Sequence, residues 1–161
     1  MSRGPRPTEP RMRFWAKVDK SGDCWDWRGY LRKSGYGQFA IAAGISVYAH
    51  RFSYEDTVGP IPEGLQIDHV CHRRSCVNPS HLRVVTHKQN SENHTGARID
   101  NRLGVRNVGL NRRTGRYRVN VMHNGRNHFR GEFNTVEEAA EAARQLRLSL
   151  YTHNELDRRS A

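Results

Sequence analysis

Three cysteines in 161 residues are few and odd in number, so a disulfide framework would leave one over. No apolar run approaches the ~20 residues a bilayer-spanning helix needs. Hydrophobic residues make up only 35% of the chain, which excludes a large single core; domains this poor in apolar surface often take a structural metal. Lysine is scarce as well, at four against 23 arginines. Arginine forks match phosphate oxygens bidentately, where lysine offers a point charge. Acidic residues number 16 against 27 basic ones, a net charge of +11, and that balance points to a nucleic-acid partner. Residues 1–10 are polar, proline-rich and basic, with no apolar core of a secretory leader. The expectation is a cytoplasmic protein, without a membrane, in a reducing compartment that leaves the cysteines free for metal.

The length allows one domain or two small ones, and the pattern changes midway. Residues 1–10 read as a flexible basic arm. Residues 11–94 form the first expected domain. In it, 11–18 suit a short helix burying Phe14, Trp15 and Val18; 24–27, 36–41 and 46–49 suit strands; 50–58 suits a helix stopped by Gly59-Pro60-Ile61-Pro62. Trp25, Trp27, Phe39, Tyr48, Phe52 and Tyr54 read as plain core. Residues 95–104 are poor in apolar side chains and are taken as a linker.

Residues 105–151 are expected to be three strands and a helix. Arg116 to Met122 alternates, with Tyr117, Val119 and Val121 on one face. Asn124-Gly125 signals a hairpin into a strand over 126–133, where Arg126, His128 and Arg130 share parity. Thr135 with Glu138 is a capping box opening a helix to about Tyr151, whose apolar stripe covers the valine face and leaves the arginine face open. Nine arginines against Asp100 and Glu132 lie between Thr95 and Phe133, a net +7. Such a sheet suits a groove of double-stranded DNA, with Arg112, Arg113, Arg116, Arg118, Asn120, Arg126, His128 and Arg130, and Arg51 of the first domain, as candidate contacts. Residues 152–161 read as a polar tail.

The stretch from Ile67 to Asn90 concentrates the chemistry. Asp68 and His69 close an apolar run at a strand end; a loop, a second strand over 82–85 and a helix from Thr86 follow, the order of a ββα metal unit. Cys71, Cys76 and His81 are soft ligands spaced five and five, and Cys24 is the remaining cysteine that completes a four-ligand tetrahedral Zn²⁺ set. His72 and His87 compete for the same role on poorer spacing. Asp68 and Asn90 offer oxygens to Mg²⁺ or Mn²⁺, and His69 can take a proton from water near neutral pH.

Cys24-Trp25-x-Trp27, Ala49-His50-Arg51, Gly59-Pro60-Ile61-Pro62-Glu63-Gly64, Ile67-Asp68-His69, Cys76-Val77-Asn78-Pro79-x-His81-Leu82 and Val85-Thr86-His87-x-x-Asn90 together resemble the HNH nucleases of the phage and homing-endonuclease branch. The spacing of His69, Cys71, Cys76, His81 and Asn90 is also similar to the His-Cys box endonucleases. The resemblance implies His69 as general base, Asn90 as cation ligand, and structural zinc on the cysteines and His81. Where the HNH pattern usually has Asn this chain has His81, and where it often has a final His it has Asn90. What orients His69 is then expected to be a backbone carbonyl, with Asn78 shaping the loop.

Gly104-Val105-Arg106-x-Val108, Thr114-Gly115-Arg116-Tyr117-Arg118, Gly131-Glu132-Phe133-Asn134-Thr135 and Glu137-Glu138-Ala139-Ala140 resemble an AP2-type DNA-binding domain, which implies a sheet in the major groove. The expected class is therefore α+β: a zinc-stapled ββα-metal nuclease domain plus a small AP2-like sheet and helix. The expected function is a metal-dependent DNA endonuclease, monomer or homodimer, phage-type or free-standing homing, nicking or cutting both strands. The alternative is a catalytically inactive, zinc-stabilised DNA-binding regulator.

Overall fold

A computed structural model describes residues 9–94 and 96–159. The basic arm at 1–8, Thr95 and the last two residues lie outside the described residues. The chain divides into two compact units, 1–87 and 88–161.

The first unit opens with helix α1 (Pro10–Trp15), with proline in its first turn, where the missing N–H costs nothing. Two short antiparallel pairs follow, β1 (Val18–Asp19) with β2 (Asp26–Trp27), and β3 (Gln38–Ala42) with β4 (Ile45–Tyr48). Helix α2 (Ala49–Thr57) leads to the antiparallel hairpin of β5 (Gln66–His69) and β6 (Leu82–Val85). Phe14 organises the core: it is fully buried, with the rings of Trp15, Trp27, Phe39 and Phe52 4.6 to 5.2 Å from its own. Gly37 is fixed by close packing, since a Cβ there would stand 2.6 Å from the Trp27 ring and 2.9 Å from Ala49. Tyr48, expected in the core, is 36% exposed. It precedes α2 at the end of a strand whose outer face is open to solvent, so the aromatic signal overstated its burial.

Helix α3 (His87–Glu92) begins at the division between the units and is shorter than its composition suggests. Its C-terminal carbonyls are taken up by the second unit: the Arg106 guanidinium donates to Ser91 O at 3.3 Å, to Glu92 O at 3.2 Å, and to His94 O. The Glu92 carboxylate is buried, accepts from Thr152 N at 2.9 Å and forms an ion pair with Lys88 at 3.3 Å. These bonds explain why the compact units part at 87/88 rather than at the glycine-bounded stretch further on.

The second unit is an antiparallel sheet in the order β7 (Val108–Leu110), β8 (Tyr117–His123), β9 (Arg126–Phe133), backed by α4 (Val136–Leu150). Thr135 and Glu138 form the reciprocal capping box. Val119, Val121, Ala139 and Ala143 are buried; alanines let the helix lie close to the sheet.

The third strand departs from simple parity. Val119 pairs with Gly131 but Asn120 pairs with Phe129, so Arg130 is an extra residue in a bulge at Gly131, whose φ is +138°. A one-residue bulge exchanges the faces beyond it. His128 and Arg126 therefore share the face of Val121 and His123, not the open arginine face, and Phe129 takes their place beside Arg118 and Asn120. The Arg118 guanidinium lies 5.1 Å from the centre of the exposed Phe129 ring.

The polar stretch after residue 151 contains a further element. Residues Glu155–Arg159 form helix α5, whose buried Asp157 makes a two-point ion pair with buried Arg147, Nε to Oδ2 2.6 Å and NH2 to Oδ1 2.8 Å. Both charges are desolvated, and the fork-to-fork geometry with a third bond from Arg147 to Arg106 O at 3.1 Å offsets that cost.

Candidate functional site

The hairpin register places the site residues. Asp68 pairs across the strands with Arg83 and His69 with Leu82. Ile67, Asp68 and His69 are all below 9% exposed, so this strand end is covered on both sides. Arg83 Nε donates to Asp68 Oδ2 at 3.0 Å. A cross-strand opposite charge is the one signal in the sequence that could have found Arg83.

The loop after His69 is stitched to the N-terminal segment. Val77 N donates to Trp25 O at 2.8 Å, Trp27 N donates to Ser75 O at 3.0 Å, and Asp26 bridges Cys76. Asn78 caps the 3₁₀ turn Pro79–His81, accepting from Ser80 N at 3.1 Å and donating to Asp23 O at 2.7 Å, the loop-shaping task expected of it.

That stitching carries Cys24 to the other soft ligands. The Sγ atoms of Cys24, Cys71 and Cys76 and a ring nitrogen of His81 all lie within 4.8 Å of one another, a group that could hold a metal ion. His81 Nδ1 is 3.5 Å from Cys24 Sγ and 3.6 Å from Cys76 Sγ. Tetrahedral zinc with its usual bond lengths needs sulfur–nitrogen edges of about 3.6 Å, so the cluster fits the ion's size. His81 Nε2 stands 3.3 Å from the Asp23 carboxylate, an outer partner that fixes which nitrogen faces the sulfurs. The Asn78 backbone N–H donates to Cys76 Sγ at 3.4 Å. Crowding splits the thiols: the hydrogen bond from Cys76 holds Cys71 down to about 5, while the same contact and burial push Cys76 well up. Burial and the neighbouring Cys71 push Cys24 up as well. Three sulfurs this close need a cation before all can be thiolates. His72 and His87 are not part of this group.

His69 is set by geometry. Its Nε2 lies 3.0 Å from the Cys76 carbonyl oxygen. A carbonyl only accepts, so Nε2 carries the proton and Nδ1 presents its lone pair. Burial pushes the His69 pKa below the ordinary 6.5, partly opposed by that carbonyl and by the charges of Cys71 and Asp68. A neutral ring with one fixed N–H is the form a general base needs. The His69 ring meets that of His50 at 4.9 Å and that of Tyr36 at 5.9 Å. In the sequence, His50 stands out only through its place in Ala49-His50-Arg51. Arg51 lies next to it on α2, and Asn90 lies on α3 in the second unit, partly buried.

In the second unit, Arg112, Arg113, Arg116, Arg118 and Arg130 are exposed. A cleft of about 1030 Å³ is lined by Arg98, Arg106, Arg112, Arg118 and Asn120 among others. Among the described residues no helix is long and apolar enough to cross a membrane.

Comparison with known proteins places this geometry. Residues 47–92, which contain α2, the β5–β6 hairpin and α3, match a family model described as HNH endonuclease. Protein 7.7 of Escherichia phage T7 is 41% identical over 70 residues, 44% of this chain and 53% of that protein. Protein 2.8 of the same phage is 40% identical over 76 residues, 47% of this chain and 50% of that protein. An uncharacterized HNH endonuclease of Acanthamoeba polyphaga mimivirus is 34% identical over 128 residues, 79% of this chain and 64% of that protein. The chain thus spans about half the length of the two phage relatives. No solved structure matches. Residues 47–92 are thus similar to the HNH endonuclease family.

Proposed function

We propose that the protein is a metal-dependent DNA endonuclease whose second unit reads or grips the DNA. The observation that carries this reading is the buried His69, neutral, with Nε2 tied to the Cys76 carbonyl and Nδ1 left as the base, one residue after Asp68. His69 Nδ1 accepts the proton of the attacking water as the oxygen–phosphorus bond forms, and the leaving oxygen departs with its electron pair. A divalent cation, when bound, neutralises charge developing on the phosphate and the leaving oxygen. Asp68 and Asn90 are the oxygen donors assigned to it, by residue type and by the resemblance to HNH and His-Cys box nucleases. Arg83 holds one oxygen of Asp68 in place.

Zn²⁺ on Cys24, Cys71, Cys76 and His81 is proposed as structural, because its four donors come from a turn, a loop and a 3₁₀ segment that have little core of their own. The second unit is proposed as the AP2-like module, supported by the sheet-and-helix architecture, the open face of Arg116, Arg118, Asn120 and Phe129, and the arginine-lined cleft. An aromatic among arginines suits contact with bases and phosphates together.

Cleavage of supercoiled plasmid with Mg²⁺ or Mn²⁺, with and without chelator, tests the function. Metal-dependent relaxed or linear product is expected. Tight DNA binding without any cleavage would instead favour the inactive zinc-stabilised regulator.

A further inference from the structure

We propose that the open face of the β7–β8–β9 sheet reads thymine 5-methyl groups in the major groove of duplex DNA, through Phe129 and Met122. The inference deepens the DNA-gripping reading of the second unit and rests on it.

Register puts Arg118, Asn120 and Met122 of β8 on one face with Asn127 and Phe129 of β9, away from the buried Val119 and Val121. The valine side is covered by Ala139 and Ala143 of α4. A sheet face left to water is normally polar, yet Phe129 is 57% and Met122 60% exposed. Exposed arginines surround the pair: Arg116 and Arg118 beside it, Arg130 in the bulge, and Arg112 and Arg113 in the turn after β7. The acid on this face, Glu132, is engaged by that same turn, accepting from Asn111 Nδ2 at 2.7 Å and from Thr114 Oγ1 at 3.1 Å. Gly109 stands opposite Arg118 on β7, and a Cβ there would meet nothing within 4 Å among the described residues, so packing does not require glycine. A strand glycine of that kind marks a close approach by something outside the chain.

The partner that fits is anionic at its rims and carries apolar points between them. The major groove of duplex DNA is built that way, with phosphates along both edges and thymine methyls on its floor. Arginine forks take the phosphates, and apolar side chains take the methyls. Met122 pairs with Asn127 and Phe129 with Asn120, so the two apolar side chains are diagonal neighbours, about 7–8 Å apart. Bases rise about 3.4 Å along each strand, so that separation matches methyl groups about two steps apart. The Arg118 guanidinium, 5.1 Å from the centre of the Phe129 ring, sets a cation beside the apolar contact.

The test uses the full chain and one mixed-sequence DNA duplex amplified twice, once with dTTP and once with dUTP, so that the products differ only in the 5-methyl groups. Affinity is measured across a salt series without added divalent cation. Burying one methyl is worth about fourfold in affinity and two about 15-fold, so wild type should prefer the thymine duplex by about 4- to 15-fold. The salt slope should be the same for both duplexes, because no charge has been removed. Phe129→Ala and Met122→Ala should each lose part of the preference, and the double variant should bind both duplexes alike with Tm near wild type. Equal binding of the two duplexes by wild type overturns the proposal, whatever the variants do to folding. So does a thymine preference that survives in the double variant. Single-stranded DNA of the same sequence bound more tightly than duplex also overturns it, since stacking of bases on Phe129 needs no methyl. Arg118→Ala separates the two readings. If it leaves the salt slope unchanged, the DNA-gripping reading falls and takes the proposal with it; if the slope drops by about 1 while wild type binds both duplexes alike, only the methyl reading falls.

Discussion

Replacing His69 by Gln removes the base while keeping the scaffold. The His69 ring spends Nε2 on the Cys76 carbonyl, 3.0 Å away, and reserves Nδ1 for chemistry. A Gln side-chain amide reaches about as far as Nε2 and can donate to the same carbonyl, yet it offers no basic nitrogen. Ala would strand that carbonyl in a buried site, at about 1–3 kcal/mol, and leave a cavity besides. The Gln variant should therefore fold within about 1 kcal/mol of wild type and keep its zinc, while His69→Ala loses stability as well as rate. Loss of a general base costs about 10²–10⁴ in rate, or roughly 2.7–5.5 kcal/mol of barrier. The readout is the initial rate of supercoiled plasmid loss at saturating Mg²⁺, beside Tm and metal content from the same preparation. Because burial holds His69 below 6.5, the wild-type rate should be flat at and above that pH and fall only as acid protonates Nδ1 below it. A Gln variant that cleaves at the wild-type rate refutes the assignment of His69. An acid limb centred above 6.5 refutes the account of its burial.

Cys71→Ser should lower zinc content and Tm together, because a structural zinc contributes folding energy; a fully folded protein purified without zinc would contradict the proposed site. Asp68→Ala and Asn90→Ala should each slow cleavage and be partly rescued by raised Mg²⁺ or by Mn²⁺, whereas His69→Gln should not; equal rescue of all three would remove the distinction between cation ligand and base. Arg118→Ala should weaken DNA binding and reduce the slope of log affinity against log salt by about 1, while His128→Ala on the opposite face leaves that slope unchanged; the reverse pattern would contradict the face assignment.

Local chemistry made much of this protein legible in the sequence. The strand β8 at Tyr117–His123 follows from alternation, the strand β9 at Arg126–Phe133 from the Asn-Gly turn before it, and the capping box at Thr135 and Glu138 from its own spacing. The ligand types and spacing of the Ile67 to Asn90 stretch pointed to metal chemistry and its resemblance to HNH nucleases to phosphodiester hydrolysis, and the HNH endonuclease match covers that segment. What escaped the sequence was decided by contacts between distant residues. A single extra residue at Arg130 exchanged the faces of β9, and nothing in period-two alternation shows which residue a bulge will take up. Glu155–Arg159 reads as polar because its stabilising partner for Asp157 is Arg147, ten residues away on another helix. Cys24 was legible in the sequence as the fourth soft ligand, but the backbone bonds that bring it there, tying Trp25 and Trp27 to the loop around Cys76, were not. His50 is the sharpest case: the sequence gives its identity, but only packing against His69, Tyr36 and Tyr48 leaves its Nδ1 without a partner. Periodicity and residue type fix what a segment can form by itself; which polar atoms end up paired is settled when separate segments meet and water is excluded from between them.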